Sequence, residues 1–145
     1  MNFVAGICLK VFRFNEEHSF WSLLQLFKKQ GFINIFDTST KRYKILTYQL
    51  EKLLQLHLPY VSLRLTEFGL DLEIYTVRWI FSMFSTDLPF SYAVTLLDII
   101  MLEPKTAILK VSLAIFFFLE KDVLDTRDTC ELNEVLKGFR KDKRF

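Results

Sequence analysis

An all-α fold is what this sequence predicts. Apolar residues recur at helical spacing in several windows, no window shows the sustained alternation of a half-buried strand, and Gly or Pro stands at breaks between windows. Hydrophobic residues make up 51% of the 145 positions, with sixteen Phe but only four Gly and three Pro, which argues for a buried core and against disorder. The length suits one structural unit, and a unit this small and this apolar is expected to leave apolar surface for a partner.

Met1 to Leu9 reads as the start of a helix that has lost its preceding turns. Asn15 is an N-cap for the next helix, with Glu16 and Glu17 placed to suit its dipole. Phe20, Leu23, Leu24 and Phe27 share one face of it; Lys28 and Lys29 favour its C-terminal end, and Gly31 stops it. Residues 32–42, with Asn34, Asp37 and the Thr38-Ser39-Thr40 cluster, read as a connecting loop. Between Tyr43 and Leu58 the stripe Leu46, Leu50, Leu53 and Leu54 opposes Gln49, Glu51, Lys52 and Gln55, and Pro59 ends this helix and can start another.

A short helix from Tyr60 to Phe68 closes at Gly69, a natural left-handed position, and Asp71 caps its successor. Leu72, Tyr75, Trp79, Ile80, Met83 and Phe84 carry that successor, and Leu88-Pro89 makes a corner. Ala93, Leu96, Leu97, Ile100 and Met101 line a further helix broken by Pro104. Thr106 to Leu119 is apolar almost all round, as expected of the central helix of a lobe. After the polar linker Thr126 to Asp128, a last helix carries Leu132, Val135, Leu136 and Phe139, with Asp128 and Glu131 at capping-box spacing. Helix lengths and Pro positions do not repeat at a fixed period, which disfavours a solenoid.

The formal charge of +2 provides no electrostatic footprint for nucleic acid. The basic run Arg140, Lys141, Lys143 and Arg144 reads as a solvated chain end. Ala107 to Leu119 falls short of the ~20 residues a membrane helix needs and contains Lys110, and the N-terminus lacks the marks of a signal peptide. A cytoplasmic protein is therefore expected. Cys8 and Cys130 lack metal-ligand spacing and read as packing residues in a reducing compartment.

Few side chains suit catalysis. His18 falls on the polar side of its helix and His57 at a helix end, without the spacing of a zinc site, so no metal is expected. The glycines at 6, 31, 69 and 138 are isolated, so no phosphate-binding loop and no cofactor is expected. Asp98 interrupts the apolar run Leu96 to Ile100; a buried carboxylate would need partners, and an edge or capping position removes that need.

Met1-Asn2-Phe3-Val4-Ala5-Gly6 is similar to the segment following the Tyr-x-Gln-Gly signature of the TBC family of Rab GTPase-activating domains. Glu16-Glu17-His18-Ser19-Phe20-Trp21 resembles that family's Glu-Glu-x-x-Phe-Trp stretch. Leu53-Leu54, Leu58-Pro59, Tyr75, Trp79, Phe84, Leu88-Pro89 and Asp98 follow in the family's order. One departure is Thr95-Leu96-Leu97-Asp98, where the family has Arg, an apolar residue, Trp and Asp; the Asp is kept and Leu97 replaces the Trp.

The resemblance runs over residues 1–124 and implies the C-terminal part of a TBC domain, a multi-helix orthogonal bundle, followed by a C-terminal helix and basic tail over 125–145. It implies a Rab-type small GTPase as partner, a role in vesicle trafficking, and peripheral membrane association only through that GTPase. In the family an Arg neutralises charge on the transferring phosphoryl group and a Gln orients the attacking water. Both motifs precede the residue at which this resemblance begins, so the expected catalytic set is empty, and the alternative is a non-catalytic helical module that binds a Rab GTPase or a scaffold.

Overall fold

The computed structural model describes residues 2–29, 32–35, 41–103 and 106–138. Expectations placed on Met1, Gly31, Asp37 to Thr40, Pro104, Phe139 and the basic tail lie outside them. The described residues form helices joined by turns: α1 (Asn2–Val11), α2 (Glu16–Leu24), α3 (Lys41–His57), α4 (Pro59–Glu67), α5 (Leu72–Ser82), α6 (Phe90–Leu102), α7 (Ala107–Phe118), α8 (Glu120–Asp125) and α9 (Thr129–Gly138). A π turn, Gln25–Lys29, extends α2, and a 3-10 turn, Phe32–Ile35, lies within the stretch read from sequence as a loop. The fold is all-α.

Local chemistry starts several of these helices. The Asn15 side chain accepts from His18 N–H at 3.0 Å, and Asp71 accepts from Glu73 N–H at 2.8 Å, each satisfying an otherwise orphaned donor. Asp128 accepts from Glu131 N–H at 2.8 Å while the Glu131 carboxylate reaches back to Arg127 N–H at 2.8 Å, a capping box displaced by one residue on its return arm. Pro59 occupies the first turn of α4, where its missing N–H costs no hydrogen bond.

Two helices organise the core. α3 packs on α4, α5, α7 and the 3-10 turn, while α7 packs on α3, α5, α6 and α8. Leu50 and Leu54 of α3 and Ile108, Ile115 and Phe116 of α7 are buried in one cluster with Trp79, Ile80 and Phe84. Trp79 meets Phe84 in a stacked contact at 6.0 Å and Phe116 edge-on at 5.6 Å, the offset and perpendicular arrangements that aromatic quadrupoles favour. Leu132 and Leu136 of α9 join the same cluster, and the Tyr75 hydroxyl on α5 donates to Asn133 of α9.

Several expectations need correction. α5 stops at Ser82, and Met83 and Phe84 form a left-handed turn with φ of 49° and 59°. The α7 surface is apolar but not enclosed all round: Lys110, Ala114 and Phe117 form an exposed stripe, with Phe117 at 66%. α8 separates α7 from the 126–128 linker and went unforeseen. Cys8 is buried as expected of a packing residue, whereas Cys130 is exposed on α9.

The largest correction concerns α2. Ser19 and Leu26 are its buried residues, Leu23 and Phe27 pack partly on the core, and Phe20 is 57% exposed. At ~100° per residue, the apolar stripe read from the sequence is turned roughly a quarter revolution away from the core. The neighbours of α2 among the described residues, chiefly α1 and the adjoining turns, do not cover that side.

Candidate functional site

The residues quoted for the resemblance fall into three places. Asn2 lies on the first turn of α1 beside a groove of about 360 Å³ that is also lined by Phe20 of α2, with Ala5, Leu23, Leu24, Phe27, Lys28 and Ile33 completing it. Gly6 is exposed on the same helix, and a Cβ built there would meet open space, so no close approach demands glycine at this position. Trp21, also 57% exposed, stands beside Phe20 in an edge-to-face contact at 5.5 Å. Met1 lies outside the described residues.

The second place is the corner between α5 and α6. Trp79 is 1% exposed and anchors the corner from inside, Leu88 is half-buried, and Pro89 is the exposed N-cap of α6. Ile7, Ser85, Leu88, Pro89, Phe90 and Ala93 line an open pocket of about 300 Å³ there. Within the same corner the Asp87 side chain is 1% exposed, accepts from the Arg78 guanidinium and also accepts from Thr86 Oγ1 at 2.7 Å. A buried carboxylate is tolerated only when both oxygens are satisfied in this way. Sequence reading overlooked Asp87, because nothing in the string Ser85-Thr86-Asp87 distinguishes a buried acid from a turn residue.

Asp98 occupies the third place. It is exposed on α6, at the edge position expected, and borders a cavity of about 70 Å³ lined by Cys8, Phe12, Leu26, Leu97 and Met101 among others. Burial pushes the Cys8 thiol up, which keeps it protonated and unreactive near neutral pH. Nearby in sequence, Lys110 bonds to Glu103 and, with Thr106, holds that carboxyl below the usual carboxylate range.

The structure therefore brings Asn2 and Phe20 to one groove and gathers Trp79, Leu88 and Pro89 at one corner, but does not assemble the motif residues into a single cleft. Among the described residues no His, Cys, Asp and Glu group has a metal-binding arrangement. No helix among them is long and apolar enough to cross a membrane.

What this helical pattern belongs to is decided by comparison with known proteins. The profile of the Rab-GTPase-TBC domain matches residues 1–124. The chain belongs to the Rab-GTPase-TBC domain family. It is 26% identical over 140 residues to the Drosophila melanogaster Ecotropic viral integration site 5 ortholog, covering 97% of this chain and 17% of that protein. It is 27% identical over 131 residues to GTPase-activating protein GYP5 of Saccharomyces cerevisiae, covering 90% and 14%. With GTPase-activating protein gyp2 of Schizosaccharomyces pombe it shares 30% identity over 90 residues, 62% of this chain and 12% of that protein. The chain thus spans less than a fifth of the length of these relatives.

Proposed function

We propose that this chain forms the C-terminal part of a TBC domain, over residues 1–124, and contributes to binding a Rab-type small GTPase without supplying the groups that accelerate hydrolysis. The observation that carries the reading is the match of the TBC profile along 124 of the 145 residues, in a sequence containing neither Ile-x-x-Asp-x-x-Arg nor Tyr-x-Gln. Two relatives carry the name GTPase-activating protein, which supports a regulator of a GTPase over an enzyme acting on a small molecule.

Activation of this class depends on placing a cation against the transferring phosphoryl group and on orienting the attacking water. Two arginines of the described residues serve the fold instead: Arg64 donates to the Leu124 carbonyl at 2.7 Å and pairs with Glu67, and Arg78 pairs with Asp87. An arginine finger contributes about 10³ to 10⁵ in rate, so its lack reduces activation to near nothing even where contact with the GTPase persists. Any association with membranes follows from the GTPase, and a cytoplasmic location is consistent with that role.

Phosphate release from a panel of GTP-loaded Rab proteins tests the proposal, with the 145-residue chain assayed beside a copy extended upstream through both finger motifs. Acceleration by the extended copy alone is expected. Acceleration by the 145-residue chain would show that an arginine within it reaches the nucleotide. Binding by both copies with acceleration by neither would favour the non-catalytic module.

A further inference from the structure

The match to the TBC profile stops at Leu124, but the packing of the chain continues past it. Arg64 of α4 donates to the Leu124 carbonyl at 2.7 Å, filling one of the acceptors that the end of α8 leaves open. The chain then turns through Thr126, which is buried and whose hydroxyl donates to the Val123 carbonyl at 2.7 Å, and enters α9. On α9, Leu132 and Leu136 are 0% and 1% exposed and Val135 packs partly on the same cluster, while Glu131, Glu134 and Lys137 face solvent.

A helix of ten residues does not persist in water on its own, so α9 is helical because it is docked. The docking has a polar lock as well as an apolar face. Tyr75 of α5 is buried, and its hydroxyl donates to the Asn133 side-chain oxygen; the Asn133 amide is held that way round by its own bond to the Thr129 carbonyl at 2.8 Å. A buried hydroxyl stripped of its acceptor costs more than the bond itself contributes, so the lock opposes any opening of α9 that leaves the bundle intact. We propose that residues 125–138 are a closing strap of the domain: α9, locked through Tyr75 and Asn133, ties α5 to α8, opens only when the bundle opens, and moves the end of the folding unit from residue 124 to residue 138.

Hydrogen exchange of the full 145-residue chain, read by mass spectrometry, tests this, and the copy extended upstream provides the same readout where the shorter chain melts early. The amides of 133–137 are expected to exchange within about tenfold of those in α5 and α7 and to follow them as denaturant is added; faster exchange than that identifies a separately opening helix and overturns the proposal. Leu136→Ala should lower the melting temperature of the whole chain in one transition and speed exchange in α5 as well as in α9, whereas Lys137→Ala, on the outer side of the same helix, should change neither. Loss of protection in α9 with α5 undisturbed would make α9 a dispensable appendage and also overturns the strap. Asn133→Leu is expected to lower the melting temperature, and Tyr75→Phe added to it to recover most of the loss, because the orphaned hydroxyl is then gone. An Asn133→Leu chain as stable as the wild type, or one that Tyr75→Phe fails to rescue, overturns the lock.

Discussion

α4 and α5 both leave the helix through the same two hydrogen bonds. After α4, Gly69 N–H reaches the Thr66 carbonyl at 3.0 Å and Leu70 N–H reaches that of Leu65 at 2.9 Å; after α5, Met83 N–H reaches Ile80 at 3.3 Å and Phe84 N–H reaches Trp79 at 2.9 Å. This Schellman arrangement puts its first residue in the left-handed region, with φ of 62° at Gly69 and 49° at Met83. Gly69 adopts it without a Cβ penalty, whereas a non-glycine residue there costs ~1–2 kcal/mol. At the α5 end Phe84 also has positive φ, so two residues carry the penalty together. Side-chain burial outweighs it: Phe84 is fully buried against Trp79, Met83 is 2% exposed, and Arg78 holds Asp87 a few residues on. One helix end is fixed by backbone freedom and the other by packing.

The largest expected effect follows from removing that packing. Phe84→Ala should destabilise the chain by about 3–5 kcal/mol, the usual cost of emptying a buried aromatic site, because the strained turn loses the ring that compensates it. Chemical denaturation measures this, and a loss below 1 kcal/mol would show that packing does not hold the turn. Asp87→Ala is expected to cost about 2 kcal/mol, the value of hydrogen bonds to a charged group. Its effect should fall well below 1 kcal/mol in an Arg78→Met background, since the two side chains act as a pair.

Gly69→Ala tests the opposite end. A Cβ there meets no atom within 4 Å, so the substitution changes conformational preference without a clash. It should lower stability by ~1 kcal/mol, with circular dichroism showing the same helix content. A neutral result would mean that α4 ends equally well in another conformation.

These two ends also show how far the sequence could be read. Gly69, Pro59, Asn15, Asp71 and the Asp128–Glu131 pair act through atoms within four residues of one another, and each was legible before any coordinates. Met83, Phe84 and Asp87 depend on Trp79, Arg78 and Phe116 as they are arranged in space, so periodicity carried α5 past its true end. The direction of α2 was illegible for a similar reason: its apolar stripe is real, but which side is buried depends on what packs there. Of the candidate site, the ordered motifs identified the family and the edge position of Asp98 was legible, while the exposure of Phe20 and Trp21 required the fold.

The end of α1 separates the two causes most cleanly. Phe14 N–H reaches the Leu9 carbonyl at 2.6 Å and Arg13 N–H that of Lys10 at 3.3 Å, repeating the Schellman pattern with φ of 51° and 63° at Arg13 and Phe14. Here neither glycine nor burial compensates, since Arg13 is exposed and Phe14 is 75% exposed. Arg13→Gly should therefore raise stability, by up to ~1 kcal/mol, because it removes the left-handed penalty while sacrificing little buried surface. Met83→Gly is expected to do the reverse: the same backbone relief comes with loss of a buried side chain, whose transfer is worth about 1.5–3 kcal/mol. Thermal melts of the two variants side by side should move in opposite directions; a rise in both would mean that conformational preference at these turns, rather than what their side chains touch, sets the stability of both ends.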